Sequence, residues 1–306
     1  MSNQKIKIIF MGTPEFSWPG LESLIATPNL EIVGVFTQPD KPIGRRQIIT
    51  PPPVKILAKQ HNLKVFQPER IKTEVEIIKN LAPDLIVVIA YGKIIPQSIL
   101  DIPRFGCLNV HASLLPKYRG AACLNAPILN GDKETGVTIM KMDAGLDTGP
   151  ILRQAKINLT GRETLAEVHD QLAKLGAELL VPTLTDWVEG KITPQIQDNS
   201  QASYIKMLTK EDGRIDWAKP ALEIKRMIRA YNPWPGTYTE KDGEILKIIE
   251  TEHEILASNN HKSGELFLDN NRLAIQCRQG ALVILKLQAA GKKIMTAKEY
   301  LRGHKI

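Results

Sequence analysis

Hydrophobic positions in the first half of the chain fall into short β-rich runs separated by stretches of helical period. The runs are 7–11, 31–36, 84–90 and 107–111, and between them the segments at roughly 16–26, 54–61 and 73–80 space apolar residues three and four apart. Strands separated by helices of this length predict βαβ units and a parallel sheet. The run 84–90 is apolar at successive positions, so both its faces are expected to be covered, as in a central parallel strand. Further on, 136–142 and 151–156 are close enough in sequence for a hairpin. The stretch 163–187 then reads as one long helix, with Leu165, Val168, Leu172, Leu175, Leu179 and Leu180 near helical spacing. Its expected start is Thr160 or Gly161, and its expected stop is Gly190.

The pattern dissolves into polar residues over 191–207, the best linker in the chain. Beyond it lie a short helix at 220–231, stopped by Asn232-Pro-Trp-Pro-Gly236, and five short strands near 236–240, 244–250, 264–268, 272–277 and 281–287. Short strands with Gly and Asn turns predict a small, OB-like β-barrel. The expected fold class is therefore α/β, a Rossmann-like, mostly parallel N-terminal domain (1–190), a linker (191–207) and an OB-like β-barrel C-terminal domain (208–306).

A chain of 306 residues fits two domains, and 43% hydrophobic with 24% charged residues is ordinary for a globular protein. No apolar run reaches the ~18 residues of a membrane span, and no signal-peptide core is found. The three cysteines, Cys107, Cys123 and Cys277, are far apart and form no C-x-x-C pair, which argues against a disulfide framework or a zinc site. The six histidines show no paired ligand spacing, so no metal is expected. A reducing, cytoplasmic setting, a monomer and no stable protein partner are the expectations. The net charge of +7, slightly concentrated in the last third, invites a polyanionic partner but fits simple solubility better.

Chemistry concentrates in 108–116, Leu-Asn-Val-His-Ala-Ser-Leu-Leu-Pro. Strand side chains alternate, so Asn109 and His111 share a face while Val110 points inward. A carboxamide beside an imidazole at a strand end can stabilise an oxyanion and manage a proton. Asp147, on a turn between Gly145 and Gly149, offers a carboxylate. The same residues also fit a satisfied polar pair and an ordinary turn-former. Met11-Gly-Thr-Pro-Glu-Phe16 sits where a nucleotide loop would, but it lacks G-x-G-x-x-G and reads better as a tight strand-to-helix turn. Gln38-Pro-Asp-Lys-Pro-Ile-Gly-Arg-Arg46 is a stiff basic loop, either solvated or anion-binding.

These motifs, with Gly34-Val-Phe-Thr-Gln-Pro-Asp40, Ala90-Tyr-Gly-Lys93, Tyr118-Arg-Gly-Ala-Ala122, Glu134-Thr-Gly-Val-Thr-Ile-Met140, Asp143-Ala-Gly-Leu-Asp-Thr-Gly149 and Asn232-Pro-Trp-Pro-Gly236, closely resemble the methionyl-tRNA formyltransferase family nearly end to end. The Asn-x-His and Asp pattern alone is similar to all formyltetrahydrofolate-dependent formyltransferases. The resemblance implies formyl transfer from 10-formyltetrahydrofolate to the α-amino group of methionyl-initiator tRNA. It implies catalytic roles for Asn109, His111 and Asp147, and folate contacts from Tyr91, Gly92, Ser113, Leu114, Leu115 and Pro116. It also implies tRNA contacts from Lys41, Arg45 and Arg46 and, in the C-terminal domain, Lys292 and Lys293. Two positions depart from the family's usual pattern: Cys123 stands where Pro is common and Asn125 where Gln is. The basic loop also carries less lysine than is usual. The rival readings are a formyltransferase acting on a nucleotide-sugar amine and a non-catalytic RNA-binding protein.

Overall fold

The computed structural model of the chain describes residues 5–44, 46–241 and 243–304. It resolves into two compact units that do not follow a single cut in sequence. Unit 1 takes in the chain up to Gly120, Thr135–Ile157 and His169–Ile205, and unit 2 takes in Ala121–Glu134, Asn158–Val168 and the chain from Lys206.

In chain order, the first elements are β1 (Ile6–Gly12), α1 (Trp18–Ile25), β2 (Leu30–Phe36), β3 (Lys41–Ile43), β4 (Ile48–Thr50), α2 (Pro53–Gln60), β5 (Val65–Phe66), α3 (Val75–Leu81), β6 (Leu85–Ile89) and α4 (Gln97–Leu100). They continue with β7 (Cys107–His111), β8 (Arg119–Gly120), α5 (Ala126–Asn130), β9 (Glu134–Lys141), β10 (Ile151–Asn158), α6 (Leu165–Val188) and β11 (Tyr204–Ile205). The main sheet of unit 1 runs β10-β9-β7-β6-β1-β2-β5. The pairs β1–β2, β1–β6, β2–β5 and β6–β7 are parallel, and β9 joins β7 antiparallel. The strand order reverses beside β1, and in open sheets of this kind the binding crevice lies at such a reversal, outside the carboxyl ends of strands such as β1, β6 and β7. All five residues of β6 are buried, as its unbroken apolar run requires.

The expected helix at 163–187 forms as α6, and its first turn is set by Thr164 rather than by Thr160 or Gly161. The Thr164 backbone N–H donates to Glu167 Oε2 at 2.8 Å, and Glu167 N–H donates back to Thr164 Oγ1 at 3.4 Å. The basic loop also differs from expectation, because β3 and β4 pair as an exposed antiparallel hairpin, with Ile43 opposite Ile48. Prolines and glycine in that stretch conceal the two short strands from a pattern reading.

In unit 2, α7 (Ala221–Tyr231) precedes β12 (Thr237–Lys241), β13 (Glu244–Thr251), β14 (Leu266–Asp269), β15 (Arg272–Gln276), β16 (Ala281–Ala289), β17 (Met295–Thr296) and α8 (Ala297–Gly303). The sheet is antiparallel in the order β12-β13-β16-β15-β14, with β17 on β16. Among the described residues β12 and β14 do not pair, so the sheet stays partly open. Its core packs Ile224 and Ile228 of α7 and Tyr300 of α8 against Leu246, Ile248, Ile275 and Leu287. No helix among the described residues is long and apolar enough to cross a membrane.

Candidate active site

β7 ends in the crevice and carries Asn109 and His111 on one face. Val110 between them is buried, and across the ladder Asn109 stands opposite Met140 and His111 opposite Thr138. Asn109 is half-buried, and its carboxamide makes no hydrogen bond to another described residue. His111 is buried, with Nε2 3.0 Å from the Tyr118 carbonyl oxygen. A carbonyl only accepts, so this nitrogen carries a proton. Nδ1 faces Asp147 Oδ2 at 3.7 Å, inside ion-pair range and just beyond a direct hydrogen bond.

Asp147 reaches this position from the loop joining β9 to β10. Its φ is +54°, a left-handed conformation that a side chain adopts at a cost. The loop is wired internally: Thr148 Oγ1 donates to Asp143 Oδ1 at 2.7 Å, and Gly145 N–H donates to the same oxygen at 3.0 Å. Gly149 is required by close approach, since a Cβ there would lie 1.8 Å from the Lys141 carbonyl oxygen. The Asp147 carboxylate is aimed by the Gly120 N–H, which donates to Oδ2 at 2.7 Å. One tripeptide therefore orients both groups, Tyr118 through its carbonyl and Gly120 through its amide.

That tripeptide is itself clamped by the polar stretch with linker composition. β8 pairs with β11, Arg119 N–H donates to the Ser203 carbonyl at 2.8 Å, and Tyr118 N–H donates to Ser203 Oγ at 2.9 Å. The Arg119 side chain, 1% exposed, donates to Gln197 Oε1, Asn199 Oδ1 and Tyr204 Oη at 2.8 Å each from its terminal nitrogens. Gln197 Nε2 in turn donates to the carbonyls of Asp147 at 2.8 Å and Gly149 at 2.7 Å. Sequence reasoning missed Arg119, Gln197 and Ser203 as parts of the site. The available signal was the arginine inside Tyr118-Arg-Gly120, a charge that folding buries only with several acceptors in place.

The residues expected to meet folate divide by orientation. Ser113 is fully buried and donates to the Lys117 carbonyl at 2.6 Å, while its own carbonyl accepts from Thr138 Oγ1 at 2.6 Å. Leu115 is buried, held by Leu115 N–H to Thr138 Oγ1 at 3.1 Å and by Gln154 Nε2 to its carbonyl at 2.8 Å, whereas Leu114 and Pro116 are half-buried. The Tyr91 ring packs in the core with Ile95 and Ile99, and its hydroxyl is buried without a hydrogen-bond partner. Burial pushes the Tyr91 phenol up to about 12. Its carbonyl accepts from Thr13 Oγ1 at 3.0 Å and Gln38 Nε2 at 3.1 Å, and Gly92 beside it is exposed with φ +78°. Thr13 thus fastens the β1 turn to the end of β6, in keeping with a strand-to-helix turn.

Of the residues expected to touch tRNA, Arg45 lies outside the described residues. Lys41 and Arg46 are exposed on the β3–β4 hairpin of unit 1, and Lys292 and Lys293 are exposed on the β16–β17 turn of unit 2. Lys41 Nζ donates to Gln38 Oε1 at 2.7 Å. Among the described residues no cluster of three His, Cys, Asp or Glu side chains forms a metal site.

Comparison with known proteins bears on this geometry. The family described as formyl transferase matches residues 4–184, and that described as formyl transferase, C-terminal domain, matches 207–305. A Citrifermentans bemidjiense protein named methionyl-tRNA formyltransferase is 46% identical, over 98% of this chain and 94% of its own. A Trichlorobacter lovleyi protein of the same name is 48% identical, over 98% and 95%. The chain belongs to the methionyl-tRNA formyltransferase family. Its fold is also that of a solved Helicobacter canadensis N-formyltransferase, described in complex with folinic acid and dTDP-3-aminofucose. That likeness has a TM-score of 0.68 at 20% identity, covering 91% of this chain and 98% of that one.

Against the family pattern, the two departures fall in unit 2. Cys123 is buried, and buried Asn125 donates from Nδ2 to the Ala230 carbonyl near the end of α7 at 2.6 Å. They act there as packing and helix-end contacts.

Proposed function

We propose that this chain transfers the formyl group of 10-formyltetrahydrofolate to the α-amino group of methionyl-initiator tRNA, giving N-formylmethionyl-tRNA for translation initiation in the cytoplasm. The observation that carries the reading is the approach of His111 Nδ1 to Asp147 Oδ2, 3.7 Å, beside Asn109 at the end of a buried strand. It is supported by relatives of that name at 46% and 48% identity over nearly their whole length.

The amine enters as an ammonium and must lose a proton before it can attack. Asp147 and His111 form the acid–base pair that takes it. The neutral nitrogen then forms a bond to the formyl carbon, and the carbonyl π electrons move to oxygen. Asn109 Nδ2 donates to that oxyanion, a contribution worth ~3 kcal/mol by comparison with other oxyanion donors, and the adjoining His111 imidazolium stabilises it by its positive charge. Collapse breaks the bond from carbon to N10 of the folate, which takes up the second amine proton, so one proton is released overall. No nucleophilic Ser or Cys is required, because the amine supplies the electron pair.

In this reading the folate lies along Tyr91, Gly92 and Ser113–Pro116, with Leu114 and Pro116 supplying apolar contact and the others shaping the loop. Lys41, Arg45 and Arg46 engage the acceptor stem, and residues 208–306, joined through 191–207 to a catalytic domain of 1–190, contribute tRNA affinity through Lys292 and Lys293. The deciding experiment is formylation of methionyl-initiator tRNA against methionyl-elongator tRNA with 10-formyltetrahydrofolate as donor. Preferential formylation of the initiator is expected, with a rate that falls steeply with salt. Equal formylation of a nucleotide-sugar amine, or no formyl release, would overturn the reading.

A further inference from the structure

Unit 2 contains a cavity of about 310 Å³ bordered by α7, by β13 and by the turn before α6. Its walls include Arg162, Lys225, Arg229 and His253, with the hydroxyl-bearing Thr164 and Thr251. Lys225 and Arg229 stand one turn apart on α7, so both side chains project from the same face. Lys225 is only 6% exposed, an unusual depth for a lysine. Its ammonium donates to the His253 carbonyl and lies 3.1 Å from His253 Nδ1. Arg229 Nη1 donates to the Glu163 carbonyl at 2.6 Å, while its Nε is buried with no acceptor.

Among the described residues none of these three cations has a carboxylate within ion-pair distance. Of the nearby carboxylates, Glu254 is exposed beside His253, and Glu163 and Glu250 are engaged elsewhere. Glu163 accepts from Thr160 Oγ1 at 2.6 Å and from the backbone N–H groups of Thr160, Gly161 and Arg162 at 2.7, 3.0 and 3.1 Å. Glu250, on the cavity wall, pairs with Lys286 at 2.7 Å. Burial, with Arg229 and Arg162 nearby, pulls the Lys225 ammonium down from its ordinary value, and burial also lowers Arg229. Lys225 is buried and Arg229 half-buried, with only the Glu163 carboxylate acting on Arg229 from outside ion-pair distance, and such partly desolvated cations are unfavourable unless an anion completes them.

We infer that this cavity is a binding site for a phosphate group. The cavity is lined by a guanidinium with a buried N–H that has no acceptor, an ammonium and the hydroxyl of Thr251, while the Thr164 hydroxyl is already given to Glu167 Oε2 at 2.9 Å. Such a donor set matches an anion with several acceptor oxygens better than a planar carboxylate. The phosphate can be a free anion or a backbone phosphate of RNA, and the site stands independently of the formyl-transfer reading.

The test titrates the full chain with inorganic phosphate by calorimetry and thermal denaturation, at ionic strength held constant with chloride. Saturable, phosphate-specific binding is expected, weakened about 10–100-fold in Arg229→Gln and in the exposed Arg162→Ala, the loss of one charge-assisted hydrogen bond. Circular dichroism of Arg162→Ala separates lost binding from lost folding. A second arm adds an uncharged (non-aminoacylated) RNA stem-loop. If backbone phosphate is the occupant, RNA displaces inorganic phosphate, and Arg229→Gln lowers the slope of log affinity against log salt by about 1. If a free anion is the occupant, phosphate binding persists beside RNA. Equal effects of phosphate and chloride, unchanged in both variants, would overturn the site, and neither readout requires formyl transfer.

Discussion

Gln197 joins Arg119 to the Asp147 loop with the two ends of one carboxamide. Its Oε1 accepts from Arg119 Nε at 3.1 Å and Nη2 at 2.8 Å, and its Nε2 donates to the Asp147 carbonyl at 2.8 Å. A single side chain thus couples the position of the carboxylate facing His111 to a buried arginine some 80 residues earlier. Part of the polar composition of 195–205 follows from this clamp, because Gln197, Asn199, Ser203 and Tyr204 serve the backbone or charge of 118–119 and 147–149.

The two halves of Gln197 can be separated by substitution. Gln197→Glu keeps an acceptor for Arg119, now charged, but loses the donor to the Asp147 and Gly149 carbonyls. Its melting temperature is expected to stay near that of the parent while kcat falls about tenfold, roughly 1.4 kcal/mol of misplaced geometry. Gln197→Ala is expected to lose both, with about 2–4 kcal/mol of stability gone because Arg119 is left partly unsatisfied. Equal kcat in the Glu variant and the parent would mean that Gln197 only supports folding.

Substitution of the pair itself gives a different signature. Asn109→Ala, His111→Ala and Asp147→Ala are each expected to lower kcat by about 10²–10³, with the secondary structure retained by circular dichroism. Retention of secondary structure is expected because Asn109 has no partner among the described residues and the contacts of His111 to the Tyr118 carbonyl and to Asp147 lie at the end of β7 rather than within its ladder. Turnover close to the parent in His111→Ala would remove the imidazole from the mechanism.

Much of unit 1 was legible because its strands carry their environment in their pattern. The β6 run is apolar on both faces, and the alternation of 107–111 marks Asn109 and His111 as a facing pair. Less could be read where position depends on partners distant in the chain. Nothing in the spacing between His111 and Asp147 requires their approach; it follows from β9 returning antiparallel to β7. The clamp by Gln197 and Ser203 was illegible for the converse reason, since isolated polar residues carry no period. Tyr91, expected at a folate surface from resemblance, turns its ring into the core, and only the surrounding strands decide that.

Gly120 combines three demands at one position. Its φ is +105°, a Cβ would stand 2.4 Å from the Ile205 carbonyl oxygen, and its N–H aims the Asp147 carboxylate. Gly120→Ala is expected to cost about 2–4 kcal/mol, as left-handed strain adds to a backbone clash. Chemical denaturation measures this directly. The activity loss should exceed the loss of folded protein, because β8 and β11 cannot part without turning the Gly120 amide away from Asp147. A fully active, equally stable alanine variant would contradict the close β8–β11 approach.

Tyr91 gives a pH-dependent test. Its hydroxyl is buried without a partner, so Tyr91→Phe removes a desolvated polar group and is expected to be neutral or to stabilise by about 1 kcal/mol at pH 8. The folded-state value of about 12 lies above the ordinary tyrosine value of 10.0. The stability contributed by keeping this phenol neutral is therefore fully present below pH 10 and is lost as pH rises from there toward 12, where the unfolded chain ionises first. Other groups titrate in the same window, so the quantity to measure is the difference in unfolding free energy between parent and Tyr91→Phe at pH 8.5 and at pH 11. That difference should grow in favour of phenylalanine at the higher pH. A constant difference would mean that the phenol ionises as readily in the folded chain as in the unfolded one, and hence that the ring is not sealed in the core beneath the β6 end of the crevice.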